Sequence, residues 1–214
     1  MKINILKPIG KLFIVIGVLM LMYLIFTDIY AGFEQRKLVQ EWESRFKDSL
    51  LSMIPPLSEN EREGETQGPS ELADKRRIEV STFARLVIPK MELDVIVVEG
   101  TTREVLKKGP GHLKGSALPG EKGNCVISGH RVTYGAPFRR LNELELDDEI
   151  LIYTPSRKSP WRYTVVAKKI VKPTDVSAIK PTEDARLTLT ACHPPHSARQ
   201  RLIIIAELSS ESEH

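Results

Sequence analysis

ARLTLTACHPPHSARQRLIIIAEL, residues 185–208, sets a cysteine and an arginine at the facing ends of two apolar runs. Leu187, Leu189 and Ala191 alternate with Thr188 and Thr190, the pattern of a half-buried strand, and Leu202 to Ala206 is the pattern of a strand buried on both faces. HPPHSARQ between them reads as a loop. A strand that leaves and returns through so short a loop pairs antiparallel with its neighbour, which brings Cys192 and Arg201 together at one rim of a sheet. A thiol then lies beside a cation that cannot lose its charge.

Working outward, short apolar runs separated by turn signals recur from about Thr82 onward: ARLVIP, LDVIVVEG, NCVISGH, DEILIYT and WRYTVVAKKIV. With the two runs above, seven or eight short strands predict an all-β barrel or sandwich. Brief helical pieces are expected near Thr102 to Lys107, Pro137 to Asn142 and Thr174 to Ile179. His130 ends the run beginning at Asn124 and precedes a Gly- and Pro-containing loop, so it is expected at a strand mouth, open to substrate.

The motif TLTAC with an arginine nine residues on, together with SGHR at Ser128 to Arg131, resembles the sortases, membrane-anchored cysteine transpeptidases of Gram-positive surfaces. GPGHLKGSALPGEKGNCVISGHRVTYGAPFRRLNEL, Gly109 to Leu144, is similar to the class E branch first and to class D second. The resemblance covers roughly residues 82–208. It implies an eight-stranded sortase-type barrel with short helices, preceded by a transmembrane helix and a linker. It implies Cys192 as nucleophile, His130 as the proton carrier for leaving and incoming amines, and Arg201 as oxyanion donor or clamp on the substrate backbone. Tyr134, Thr190, Ala191 and His193 are the expected substrate-binding positions, with core packing as the other reading of Tyr134. One position departs from the family's TLxTC pattern: Ala191 stands where a threonine precedes the nucleophile.

The implied substrate is a protein with a carboxy-terminal Leu-(Pro/Ala)-x-Thr-Gly sorting signal, cut between Thr and Gly through a thioacyl intermediate. The product is joined to an amine of a cell-wall precursor. A hydrolytic cysteine peptidase of the envelope would use the same residues, and a non-catalytic peptide-binding adaptor is the third possibility. No cofactor and no metal are expected. Cys192, His193 and His196 offer three potential ligands where structural zinc takes four at regular spacings.

The 214 residues, 41% hydrophobic, suffice for one ordinary domain with an anchor and a linker. A net charge of +3 spread along the chain makes no case for nucleic-acid binding. LFIVIGVLMLMYLIF, Leu12 to Phe26, is uncharged and, with its flanks, approaches the roughly 20 residues of a membrane span. Lys2, Lys7 and Lys11 precede it and acidic residues follow, which predicts a single-pass protein of the cell membrane, amino terminus cytoplasmic and catalytic domain outside. A cleaved signal peptide is the alternative, but no small-residue cleavage pattern follows the run.

The expected segments are a cytoplasmic stretch 1–11, an anchor 12–30, a juxtamembrane amphipathic helix 31–54, a flexible linker 55–81, the catalytic domain 82–208 and a tail 209–214. Leu38, Trp42, Phe46 and Leu50 recur every four residues, a stripe suited to a membrane surface or to a second copy of the same helix. The linker, rich in Pro, Glu, Ser and Gly, is too polar to bury a core. Cys125 lies five residues before His130, about 16 Å along a strand and on its other face. It is expected as a buried apolar residue, unpaired with Cys192, and His112 in GPGH is expected in a turn.

Overall fold

Eight strands with turn-rich joints close on themselves in the order β1-β2-β3-β4-β7-β8-β6-β5, so that no sheet edge is left along most of the barrel. The computed structural model describes residues 6–52 and 81–209. Residues 55–80 of the expected linker and 210–214 of the tail lie outside the described residues, as do residues 1–5. The strands are β1 (Thr82–Ile88), β2 (Leu93–Glu99), β3 (Gly111–His112), β4 (Gly123–Ser128), β5 (Glu149–Tyr153), β6 (Trp161–Val171), β7 (Ala185–His193) and β8 (Gln200–Leu208). β2 with β3 and β4 with β7 are parallel, and the other pairings are antiparallel.

Strand alternation fills the barrel. Leu187, Leu189 and Ala191 of β7, Cys125 and Ile127 of β4, and Leu202, Ile204 and Ala206 of β8 share one core with Leu86, Ile88, Ile150 and Ile152. Phe138, Leu141 and Leu144, from the connection after β4, are fully buried in the same core and plug it. Gly129 is needed for that plug, since a Cβ there would stand 2.6 Å from the Phe138 ring. On the outer face Thr188 is fully buried, against the alternation that puts it in water, because the connection before β7 lies over it. Its hydroxyl donates to Asn124 Oδ1 at 2.8 Å, and Asn124 Nδ2 donates to the carbonyls of Ala178 and Lys180.

Among the described residues there are two α-helices, α1 (Leu6–Ser52) and the one-turn α2 (Arg103–Leu106), and single 3-10 turns at Pro89–Met91, Leu141–Glu143 and Ser177–Ile179. α1 is long and apolar enough to cross a membrane. Its carboxy-terminal half lies along the barrel. Asp28 accepts from the Gly135 amide, Leu38 and Trp42 pack on Ile96, Val98 and Val105, and Arg45 donates to Thr82. Between them Gln35 accepts from the Ile96 amide at 3.0 Å and donates to the carbonyls of Ile96 and Lys108 at 3.2 and 2.7 Å. Leu38, Trp42 and Phe46 of the apolar stripe thus pack against the chain's own barrel.

Candidate active site

Three neighbouring strands build the site. β4 and β7 run parallel with Ser128 opposite Thr190, and β7 pairs with β8 so that Cys192 faces Arg201. The Gly129 amide donates to the Thr190 carbonyl at 3.0 Å, carrying the parallel ladder past the end of β4. Two positions beyond the Ser128–Thr190 pair, His130 and Cys192 come level, and Arg201 completes the row. Adjacent strands lie about 4.8 Å apart, so the row spans about 10 Å. Ala191, Leu202 and Ile127 point inward, and alternation turns Cys192, Arg201 and His130 outward, where all three are half-buried.

The loop after β4 holds His130. The Phe138 amide donates to the His130 carbonyl at 3.0 Å, and Tyr134 and Ala136 take left-handed backbone angles, φ 53° and 41°, to make the loop fold back. The Tyr134 ring comes to rest with its centroid 5.2 Å from that of His130, tilted by 44°. Burial, with the positive charge of Arg103 adding to it, holds the His130 imidazole below its ordinary pKa. Its Nε2 is buried without a hydrogen-bond partner among the described residues. Such a nitrogen gains most from a proton donor or acceptor brought to it.

Arg201 spends one nitrogen on structure: Nη1 donates to the carbonyls of Ala198 and Gln200, both at 3.1 Å. Those bonds tie the guanidinium to the end of the β7–β8 loop, and its other donors have no partner among the described residues. His193 sits beside Cys192 at the end of β7, and its Nδ1 accepts from Arg131 Nη1 at 2.9 Å. Arg131 also donates to Asn142 Oδ1, so this buried arginine fastens the β7–β8 loop to the connection after β4. Sequence reasoning gave Arg131 and Asn142 no place in the site, although Arg131 directly follows His130 in the SGHR motif.

Thr190 lies one outward position below Cys192 on the same face. Ala191 does not join them, since its side chain is 3% exposed and turned into the core. His196 lies in the loop, and among the described residues no three His, Cys, Asp or Glu side chains gather as metal ligands. Both cysteines are free, and Cys125 is fully buried in the core, where desolvation pushes its thiol up to about 12. His112 is not in a turn. It lies in β3, 2% exposed, stacked 3.9 Å from Phe83, with Nδ1 on Glu99 and Nε2 on Ser116, each at 2.9 Å.

Residues 86–209 match the sortase domain family. Sortase D of Bacillus subtilis is 32% identical over 166 residues, which cover 77% of this chain and 81% of that protein. Sortase SrtE1 of Streptomyces coelicolor is 28% identical over 222 residues, covering 96% of this chain and 57% of the relative. A sortase D transpeptidase structure from Clostridium perfringens shares the fold, with a TM-score of 0.63 at 22% identity over 83% of this chain and 99% of that one. By its barrel and by these matches the chain belongs to the sortase family, on its class D and E side.

Proposed function

We propose that this chain is a transpeptidase that cuts a carboxy-terminal Leu-(Pro/Ala)-x-Thr-Gly sorting signal between Thr and Gly and joins the new end to an amine of a cell-wall precursor. The observation that carries the reading is that His130, two residues past the end of β4, Cys192 of β7 and Arg201 of β8 come to one rim of the barrel on three neighbouring chain segments. Cys192 Sγ attacks the threonine carbonyl as thiolate, forming a C–S bond. Arg201 donates to the oxygen that gains negative charge, a role its free N–H groups suit and its permanent charge supports. As the C–N bond breaks, His130 gives its proton to the departing glycine amine. The acceptor amine then attacks the thioester, His130 takes up the proton released, and Cys192 leaves as thiolate.

Tyr134, Thr190 and His193 flank the row and form the walls of the peptide groove. Ala191 enters only as the inward neighbour of the nucleophile. α1 is a membrane anchor, with the lysine-rich amino terminus inside and the barrel outside. The test is product analysis with one sorting-signal peptide in the presence and absence of a primary amine. Ligated peptide that replaces the hydrolysed product as amine is added supports the reading. Hydrolysis unaffected by any amine would make the chain a peptidase, and no cleavage of any signal peptide would make it an adaptor.

A further inference from the structure

A cavity of about 510 Å³ lies between α1 and the barrel, beside the loop that carries Tyr134. Asp28, Ala31, Gly32 and Gln35 form its helix wall, and Met91, Leu93 and Val95 form an apolar floor. Lys108, Arg139 and Arg140 line it from the barrel. Arg140 is matched by Glu143 at 2.8 Å, whereas Lys108 and Arg139 have no ion pair among the described residues. The single carboxylate in the lining, Asp28, accepts from the Gly135 amide. The cavity therefore combines apolar surface with uncompensated positive charge, the makeup that receives an amphiphilic anion.

Its height supplies the identity of that anion. Asp28 to Gln35 follow Phe26, the end of the apolar run, by two to nine residues, which at 1.5 Å per residue is about 3 to 14 Å. A bilayer's headgroup layer is about 5 to 8 Å thick on each side of its hydrocarbon. The near end of the cavity thus opens within the headgroup layer when α1 spans the membrane. We infer that this cavity binds the phosphate of an anionic membrane lipid, with Lys108 and Arg139 on the phosphate oxygens and the glycerol end over Leu93 and Val95. The inference depends on the reading of α1 as an anchor. Gly111 pairs with both Val98 and Ser128, two residues from Ile96 and from His130 respectively, so Gln35, bonded to Ile96, docks α1 on the strands that lead to the catalytic row. A lipid held here fixes that row at a set height above the bilayer.

The experiment uses the full chain in nanodiscs of phosphatidylcholine with a minor share of phosphatidylglycerol. After transfer to mild detergent, the lipid retained per protein is measured by mass spectrometry for wild type and for Lys108→Gln with Arg139→Gln. Wild type is expected to enrich phosphatidylglycerol over its share in the disc, and the variant to lose that enrichment by roughly fivefold per charge removed. Millimolar inorganic phosphate is expected not to displace the lipid, and displacement by phosphate would make free phosphate the ligand and overturn the lipid assignment. Equal enrichment in the variant, or none in wild type, would overturn the site. Alkaline carbonate washing of membranes distinguishes the two readings: a wild-type chain that stays in the pellet yet enriches no anionic lipid sinks the cavity alone, and one that washes off sinks the anchor and the cavity with it.

Discussion

Cys192 and Arg201 are register partners across the β7–β8 ladder, so the sheet sets the spacing of their backbones and the loop carbonyl of Ala198 helps to hold the guanidinium. Nη1 already holds the Ala198 and Gln200 carbonyls, and the remaining donors belong to the same rigid planar fork. An ammonium reproduces neither the tie nor the fork. Arg201→Lys is therefore expected to lose nearly as much kcat/KM as Arg201→Ala, about 10² to 10³ in rate. Steady-state kinetics with one peptide and one amine decides it, and a lysine variant near wild-type rate would show that net charge alone matters.

Gln35 satisfies both backbone groups of Ile96 on a stretch of β2 that β3 is too short to cover. In Gln35→Leu those groups and the Lys108 carbonyl are left buried and unpaired. An orphaned buried group costs about 1 to 3 kcal/mol. The full chain should unfold at lower temperature, and a chain beginning at Ser81 should expose Ile96, Val98 and Val105 and associate. Unchanged melting of the variant would mean that α1 does not dock in solution.

The depressed pKa of His130 gives stability a pH dependence. Between the folded and unfolded values the unfolded imidazole holds more protons, so stability rises with pH there. The contribution is present above about pH 6.5 and is lost as pH falls through the lower folded value. Urea midpoints at pH 7.5 and pH 5 should fall more for wild type than for His130→Gln. Identical acid sensitivity in the two would remove His130 as a source.

Ala191 is packed inward, so a threonine there places its hydroxyl among Leu189 and Leu202. The expected result of Ala191→Thr is a loss of stability of about 1 to 3 kcal/mol and no gain in kcat/KM. A faster enzyme of undiminished stability would show that this residue reaches the substrate.

Much of this was legible in the chain because the informative runs are long. Residues 185–208 contain two strands whose alternation and whose short loop force the Cys192–Arg201 pairing, and simple parity puts His130 and Cys125 on opposite faces of β4. What escaped lacks a period or has an ambiguous one. β3 is two residues long, so His112 between glycine and lysine turns reads as turn. Thr188 follows the polar-out rule until a loop 10 residues away covers it and Ala178 accepts its hydrogen bond. The stripe of Leu38 and Trp42 is equally good for a membrane, a second helix or a barrel wall, and only the polar Gln35 within it, matched to a bare strand edge, belongs to the barrel alone.

The central claim is that Cys192 carries the substrate's acyl group. Intact-protein mass spectrometry of the full chain, quenched in acid shortly after mixing with a sorting-signal peptide, tests it directly. The account predicts a hydroxylamine-sensitive adduct on Cys192 with the mass of the peptide through its threonine, discharged on adding an amine, absent in Cys192→Ala and retained in Cys125→Ala. An adduct on Cys125, or turnover that persists in Cys192→Ala, would contradict it.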